Sequence, residues 1–229
     1  MSSAVATSTL RAVLWDMDGT LLESETLWDI GMRELSLRLG APMTDETRRA
    51  TIGASSAFAL RTVFESLDLV PDPDALAAAK AWLYGRMGEL FAQGLPWRPG
   101  ARRTLGAVRA AGLGSALVTN TDRALCEFAL DTLGREHFDH SVCGDEVPAG
   151  KPDPAPYLRA AQLLGLDPVH CLAVEDSPTG AAAAEAAGCT VLVVPSLTEV
   201  PGSPRRVFRE SLDGLTVADL HALHLPGAC

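Results

Sequence analysis

No run in this chain stays apolar for the ~20 residues that a membrane span needs, so no transmembrane segment is expected. Paired cysteines are missing as well. Cys126, Cys143, Cys171, Cys189 and Cys229 are scattered without a CxxC spacing and read as reduced, buried thiols of a cytoplasmic protein. Positive charge is scarce: 19 Lys and Arg stand against 29 Asp and Glu, a net charge of −10. An acidic balance of this size keeps a protein soluble and argues against nucleic acid or an anionic membrane as the main partner. A phosphate ligand stays open, because it responds to the few groups around it. The opening MSSAVATSTL has no basic residue before Arg11 and no long apolar core, so no secretory signal is expected. Internal repeats are absent, none of the five histidines falls in a motif, and a monomer is expected.

What the chain does have is core material. Of its 229 residues, 47% are hydrophobic, enough for one large domain or two unequal ones. Short apolar runs recur at Ala12–Trp15, Ser115–Val118, His140–Cys143, Cys171–Val174 and Thr190–Val194. They do not alternate cleanly, which suits strands covered on both faces. Helical patterns lie between them. Asp153-Pro154 offers a cap and a proline at the first helical position, with Gly165 as the stop. Ser177-Pro178 and Gly188 punctuate the next helix in the same way. This alternation predicts an α/β fold with a doubly wound parallel sheet. Pro195–Arg206 reads as a surface loop and LTVADLHALH as a short closing helix.

One segment breaks the rhythm. Between Glu23 and Trp97 no strand pattern appears, while Trp28, Met32, Leu35 and Leu39 mark one face of a helix. AFALRTVFESL and ALAAAKAWLYGRMGELF are helical in pattern too. The expected organisation is a core made of residues 1–22 and 98–229, with a helical cap at 23–97. Leu22–Ser24 and Gly94–Pro99 would be the linkers. The basic cap residues Arg33, Arg38, Arg48, Arg49, Arg61, Lys80 and Arg86 read mostly as solvated, and Trp28 and Trp97 as packing or hinge residues.

In open parallel sheets, ligands bind beyond the carboxyl ends of the strands. The first strand ends in Asp16 and runs on to Asp18, the second ends in Thr119-Asn120, and the fourth in Glu175-Asp176. Lys151 precedes the helix near Pro154. Two carboxylates as close as Asp16 and Asp18 repel unless a cation or a shared proton intervenes. A divalent cation among Asp16, Asp18 and Asp176 would relieve this, and hard oxygen ligands favour Mg²⁺. A phosphate would then be drawn by that ion, by Lys151, by the Thr119 hydroxyl and by the backbone turn after Asp16. Taken singly, each piece also has a plain reading: a solvated strand end, a Thr-Asn turn, a helix cap at Glu175-Asp176.

DMDGTL, VTN, GKPDP and VEDSPTG, in this order, resemble the four motifs of the haloacid dehalogenase superfamily of phosphotransferases, and the likeness covers nearly the whole chain. It is similar to the branch holding β-phosphoglucomutase and small sugar-phosphate phosphatases; SETLWD looks especially like the hexitol and 2-deoxyglucose 6-phosphate phosphatases. The resemblance implies a Rossmann-like core with a C1-type cap and a phosphatase acting on a small phosphorylated metabolite, a sugar or polyol phosphate. It implies Asp16 as nucleophile and Asp18 as acid and base. Mg²⁺ would sit on Asp16, the main-chain carbonyl of Asp18, and Asp176, with Glu175 supporting it through water or indirect contacts. Thr119, the Asn120 backbone and Lys151 would hold the phosphoryl oxygens. Gly19 would allow the turn beneath the phosphate, and Thr20 would brace it.

Two other functions remain. One is a phosphosugar mutase of the β-phosphoglucomutase kind. That pattern places a histidine twelve residues after the nucleophile, where Trp28 stands, and a cap arginine three after a glycine, where Ser56 follows Gly53. The other is a non-enzymatic phospho-acceptor of the receiver type. Receivers are about half this length and lack both the helical insert and the acid two residues after the nucleophile.

Overall fold

The computed structural model describes residues 9–224; the expectations placed on the first eight residues and on Cys229 lie outside them. Strands β1 (Ala12–Trp15), β2 (Gly114–Val118), β3 (His140–Val142), β4 (Cys171–Glu175), β5 (Thr190–Val193) and β6 (Arg206–Phe208) form one sheet, ordered β3-β2-β1-β4-β5-β6. Every pairing is parallel. Each side chain of β1 is fully buried, and successive residues serve two different cores. Val13 and Trp15 join one apolar cluster, Ala12 and Leu14 the other. A strand packed on both faces has no polar side to show, hence its lack of alternation.

Helices α1 (Glu25–Leu39), α2 (Asp45–Thr51), α3 (Ser56–Ser66) and α4 (Pro73–Phe91) follow β1 directly, forming a helical cap beside the sheet-bearing core. Met32 and Leu35 are the buried stripe of α1, as their spacing predicts. They face α4, where Leu83 and Met87 are buried, and Gly31 lets Met87 come close. Asp72 caps α4 and Pro73 opens it. The two passes between cap and core run side by side: Glu23 N donates to Pro96 O at 2.8 Å and Arg98 N to Leu21 O at 2.9 Å.

The core continues through α5 (Ala101–Ala110), α6 (Arg123–Leu133), α7 (Ala155–Leu163), α8 (Pro178–Ala187) and α9 (Val217–Leu223). The closing helix is where the sequence places it. Helix α7 starts one residue later than its punctuation suggests, with Pro154 at the cap and Asp153 accepting from Ala155 N. The Pro195–Arg206 loop ends sooner than expected. Arg206–Phe208 pairs with β5 as an edge strand, three residues long and only partly buried, too short to carry a hydrophobic period.

Helix α8 begins as its sequence predicts, with Ser177 Oγ accepting from Gly180 N at 3.0 Å. Gly180 has a second reason to be glycine: a Cβ there would land on the fully buried Glu175 carboxylate. Overpacking of this kind costs ~1–3 kcal/mol. At roughly 2–4 °C per kcal/mol for a chain of this size, Gly180→Ala should lower Tm by about 2–12 °C. A melt indistinguishable from wild type would mean that the carboxylate can step aside.

Candidate active site

The strand order reverses at β1, which places a crevice at the carboxyl ends of β1 and its neighbours. Trp15 pairs with Val174, and Asp16 N donates to Val174 O at 3.0 Å. Register alone therefore brings Asp16 and Glu175 side by side, with Asp176 one residue beyond. An oxygen from each of Asp16, Glu175 and Asp176 lies within 4.8 Å of the others, and all three residues are buried.

Lys151 enters this cluster from the loop before α7. Its Nζ lies 2.6 Å from Asp16 Oδ1, 2.6 Å from Glu175 Oε1 and 2.9 Å from Val118 O, so all three of its protons have acceptors. Burial alone would lower its pKa; Asp16 and Glu175 outweigh that and raise it, so Lys151 stays an ammonium. Tyr157 Oη donates to Glu175 Oε1 at 2.6 Å, and the Ser177 hydroxyl and the Asp176 amide donate to Oε2. Glu175 is thus consumed by donors on both oxygens.

One ammonium cannot balance three carboxylates. Burial, with help from Glu175 and against Lys151, pushes Asp16 up to about 7. Burial, then Asp16 and Glu175, push Asp176 up as well. Asp16 Oδ2 is buried with no hydrogen-bond partner among the described residues. An orphaned carboxylate oxygen in an over-acidic cluster of hard oxygen donors fits a divalent cation.

Asp18 is expected to reach a metal through its main-chain carbonyl and to use its side chain as acid and base. Its side chain does not share the cluster with Asp16 and Asp176 but turns the other way, into donors. Oδ1 accepts from the Ser24 hydroxyl and, at 3.1 Å, from Trp28 Nε1; Oδ2 accepts from Thr121 Oγ1 at 2.8 Å, with Thr119 Oγ1 at 3.4 Å. This divergence does not remove the repulsion between the two acids: the Asp18 charge still helps to raise the Asp16 pKa. Ser24 and Trp28 lie at the start of the helical insert, so the insert itself holds the second acid. Thr119 Oγ1 also accepts from Thr121 N.

Asn120 does not offer its side chain to the crevice. Oδ1 accepts from Lys151 N at 2.8 Å, while Nδ2 donates to Lys151 O at 3.1 Å and to Gly53 O, in the cap, at 3.0 Å. Gly19 turns at φ +80°, and a Cβ there would strike the Asp176 carboxylate, so it serves both the turn and the close approach. Thr20, expected to brace that turn, is fully buried, but its hydroxyl has no hydrogen-bond partner among the described residues.

Arg48 corrects the reading of the cap's basic residues as solvated. It is buried, and Nη2 donates to Glu25 Oε2 at 2.8 Å. Arg86, by contrast, pairs with Glu34 and Glu89. A chamber of about 70 Å³ is lined by Asp16, Asp18, Lys151 and Asp176 from the core and by Glu25, Trp28 and Arg48 from the cap. A wider cleft of about 740 Å³ shares Ala54, Ser56, Asn120 and Lys151 with it. Sequence reasoning missed Tyr157, Thr121, Ser24 and the Glu25–Arg48 pair, and read Trp28 as a packing or hinge residue. The two acids Glu23 and Glu25, close behind the first motif, were the one available hint.

The family model described as haloacid dehalogenase-like hydrolase matches residues 10–188. The chain is 31% identical over 227 residues to hexitol phosphatase B of Escherichia coli K12, covering 92% of this chain and 96% of that protein. It is 37% identical over 194 residues to the phosphoglycolate phosphatase of Nitrosospira multiformis, covering 81% and 83%. The crystal structure of CbbY from Rhodobacter sphaeroides in complex with phosphate superposes with a TM-score of 0.81 at 28% identity, covering 92% of this chain and 99% of that one.

Proposed function

Because the chain belongs to the haloacid dehalogenase-like hydrolases and is a phosphomonoester hydrolase, we propose that it hydrolyses a sugar or polyol phosphate, with Mg²⁺, through an aspartyl-phosphate on Asp16. The divided state of the Asp16 carboxylate carries this reading: Lys151 fixes Oδ1, while Oδ2 is buried without a partner among the described residues. A carboxylate held by an ammonium at one oxygen and unpaired at the other can divide its two oxygens between a cation and phosphorus. We take residues 23–97 as the cap and 1–22 with 98–229 as the core that it covers.

In the first step Asp16 forms a bond to phosphorus as the ester P–O bond breaks, and Asp18 gives its proton to the departing alkoxide. In the second, Asp18 takes a proton from water, the water oxygen attacks phosphorus, and Asp16 leaves as carboxylate with inorganic phosphate released. Ser24, Trp28 and Thr121 keep the Asp18 carboxyl aimed away from the nucleophile's cluster. Lys151 and the Asn120 backbone draw on the phosphoryl oxygens, with the Asn120 side chain holding the Lys151 backbone in place. Gly19 leaves room above Asp176. Asp16, Asp176 and the Asp18 main-chain carbonyl would hold Mg²⁺, with Glu175 supporting indirectly because its oxygens are already engaged. Mg²⁺ would offset charge at the phosphoryl group and bring substrate and acids into one place.

Hydrolysis is favoured over phosphosugar transfer by what the cap presents. Trp28 spends its N–H on Asp18, and Ser56 donates to Asp122 at 3.1 Å instead of offering an arginine to a second phosphate. A phosphate-release screen over phosphometabolites with Mg²⁺ tests this; stoichiometric phosphate from at least one metabolite is expected. Conversion of β-glucose 1-phosphate to glucose 6-phosphate without phosphate release would replace the hydrolase reading with the mutase one.

The two outer acids should separate in a metal titration. Asp176→Asn weakens a ligand, so more Mg²⁺ is needed for half-maximal rate. Asp18→Asn removes a proton carrier, so the rate falls by about 10²–10⁴ even at saturating Mg²⁺. An ester with a very good leaving group needs less protonation and should partly rescue Asp18→Asn. Superimposable Mg²⁺ curves for the two variants would contradict the division of labour.

A further inference from the structure

We propose that the buried Glu25–Arg48 pair makes this site select esters of neutral, hydroxylated alcohols and reject those whose leaving group carries a carboxylate or a second phosphate; this rests on the phosphatase reading above. Glu25 opens α1 and Arg48 lies in α2, and their side chains are only 6% and 7% exposed. Both line the chamber that holds Asp16 and Asp18, so they sit where a leaving group would.

Arg48 is the cation that an anionic leaving group would need; both of its terminal nitrogens are engaged, and its Nε is ion-paired with Asp29 without a hydrogen bond to it. Nη2 donates to Glu25 Oε2 at 2.8 Å and to Glu25 O at 3.3 Å; Nη1 reaches Thr51 Oγ1 at 3.4 Å; Nε stands 3.3 Å from Asp29 Oδ1. The chamber's one other cation, among the described residues, is Lys151, held by Asp16 and Glu175. In the wider cleft, Lys80 is ion-paired with Asp122. An incoming carboxylate or phosphate would have to draw Arg48 away and strand Glu25, a buried carboxylate, near Asp18. Hydroxyl groups face no such conflict: each can donate to Glu25 while the ion pair stays closed. Met32, Ala59 and Leu83 supply an apolar wall for the carbon chain.

The test measures kcat/KM with Mg²⁺ for two sets of esters. Sorbitol 6-phosphate, glucose 6-phosphate and glycerol 3-phosphate leave as neutral alcohols; 2-phosphoglycolate and xylulose 1,5-bisphosphate leave as anions. 4-Nitrophenyl phosphate reports phosphoryl chemistry apart from this recognition. The best neutral ester should exceed the best anionic one by at least about tenfold, and Glu25→Gln, which frees arms of Arg48 without changing shape, should narrow that ratio by about tenfold. Arg48→Gln, which leaves Glu25 unmatched, should not narrow it. Turnover of 4-nitrophenyl phosphate with an anionic ester equal or preferred, with no metabolite ester accepted, or with a ratio that Glu25→Gln does not move, overturns the proposal and leaves the phosphatase reading standing. No phosphate from any ester, from folded protein with Mg²⁺, overturns both. Should Glu25→Gln not fold, the wild-type ratio and Arg48→Gln decide alone.

Discussion

Asp16→Asn is expected to abolish phosphate release while leaving the fold intact. The substitution keeps size and shape but removes the charge that attacks phosphorus, and with it the covalent route. A loss of at least about 10⁴ in kcat follows, some 5.5 kcal/mol of barrier at 1.36 kcal/mol per decade. Stability should move the other way when metal is chelated. Burial and Glu175 raise the Asp16 pKa to about 7. A carboxyl group raised on folding contributes most below its unfolded pKa, and that contribution is lost as pH climbs to the folded value. Above pH 7 the wild type therefore carries an unfavourable buried charge that an amide does not. At pH 8 in chelator, Asp16→Asn should melt at or above the wild-type temperature, and Mg²⁺ should raise the wild type more than the variant. A variant keeping a tenth of wild-type phosphate release, with contaminating phosphatases removed, would show that Asp16 is not the nucleophile.

Much of this could be read from the chain because the acids sit at the ends of strands. Ala12–Trp15 is apolar throughout, a parallel strand must be covered on both faces, and ligands gather at strand ends; Asp16, Thr119, Glu175 and Asp176 follow from local patterns alone. The helical insert was legible for the same kind of reason: Met32 and Leu35 recur at helical spacing with no strand signal until Gly114. The rest depends on contacts that sequence spacing does not encode. Arg48 and Arg49 are adjacent, and only packing of α2 against the start of α1 decides that the first is buried against Glu25. Tyr157 looks like any aromatic on an amphipathic helix until α7 docks and aims its hydroxyl at Glu175. The orientation of Asp18 was hidden too, since its donors come from the insert, from Trp28, and from the loop after β2. Edge strand β6 escaped notice because three residues cannot display a period.

Lys151→Met should damage both folding and turnover, by a larger combined margin than any other single change. The ammonium is almost wholly buried and touches Asp16 and Glu175 at 2.6 Å each, with Asp176 in the same cluster. Removing one partner from a buried pair leaves charge without compensation and costs ~3–5 kcal/mol. At roughly 2–4 °C per kcal/mol, Tm should fall by about 6–20 °C. Loss of a donor to the phosphoryl oxygens should cost about 10²–10³ in kcat beyond any loss of folded protein. The stability deficit also has a direction in pH. Lys151 lowers the Asp16 pKa, so without it that carboxyl titrates above its wild-type value of about 7. Protonated Asp16 conceals the missing cation at lower pH, and its ionisation reveals it as pH rises past 7. Measured in chelator, the gap in Tm between wild type and Lys151→Met should therefore widen from pH 6 to pH 9. A gap that is constant over this range, or one that narrows, would mean that Lys151 stabilises the fold through the contact of its ammonium with the Tyr157 ring, 5.2 Å from Nζ to the ring centre, and not by balancing the acids at the strand ends.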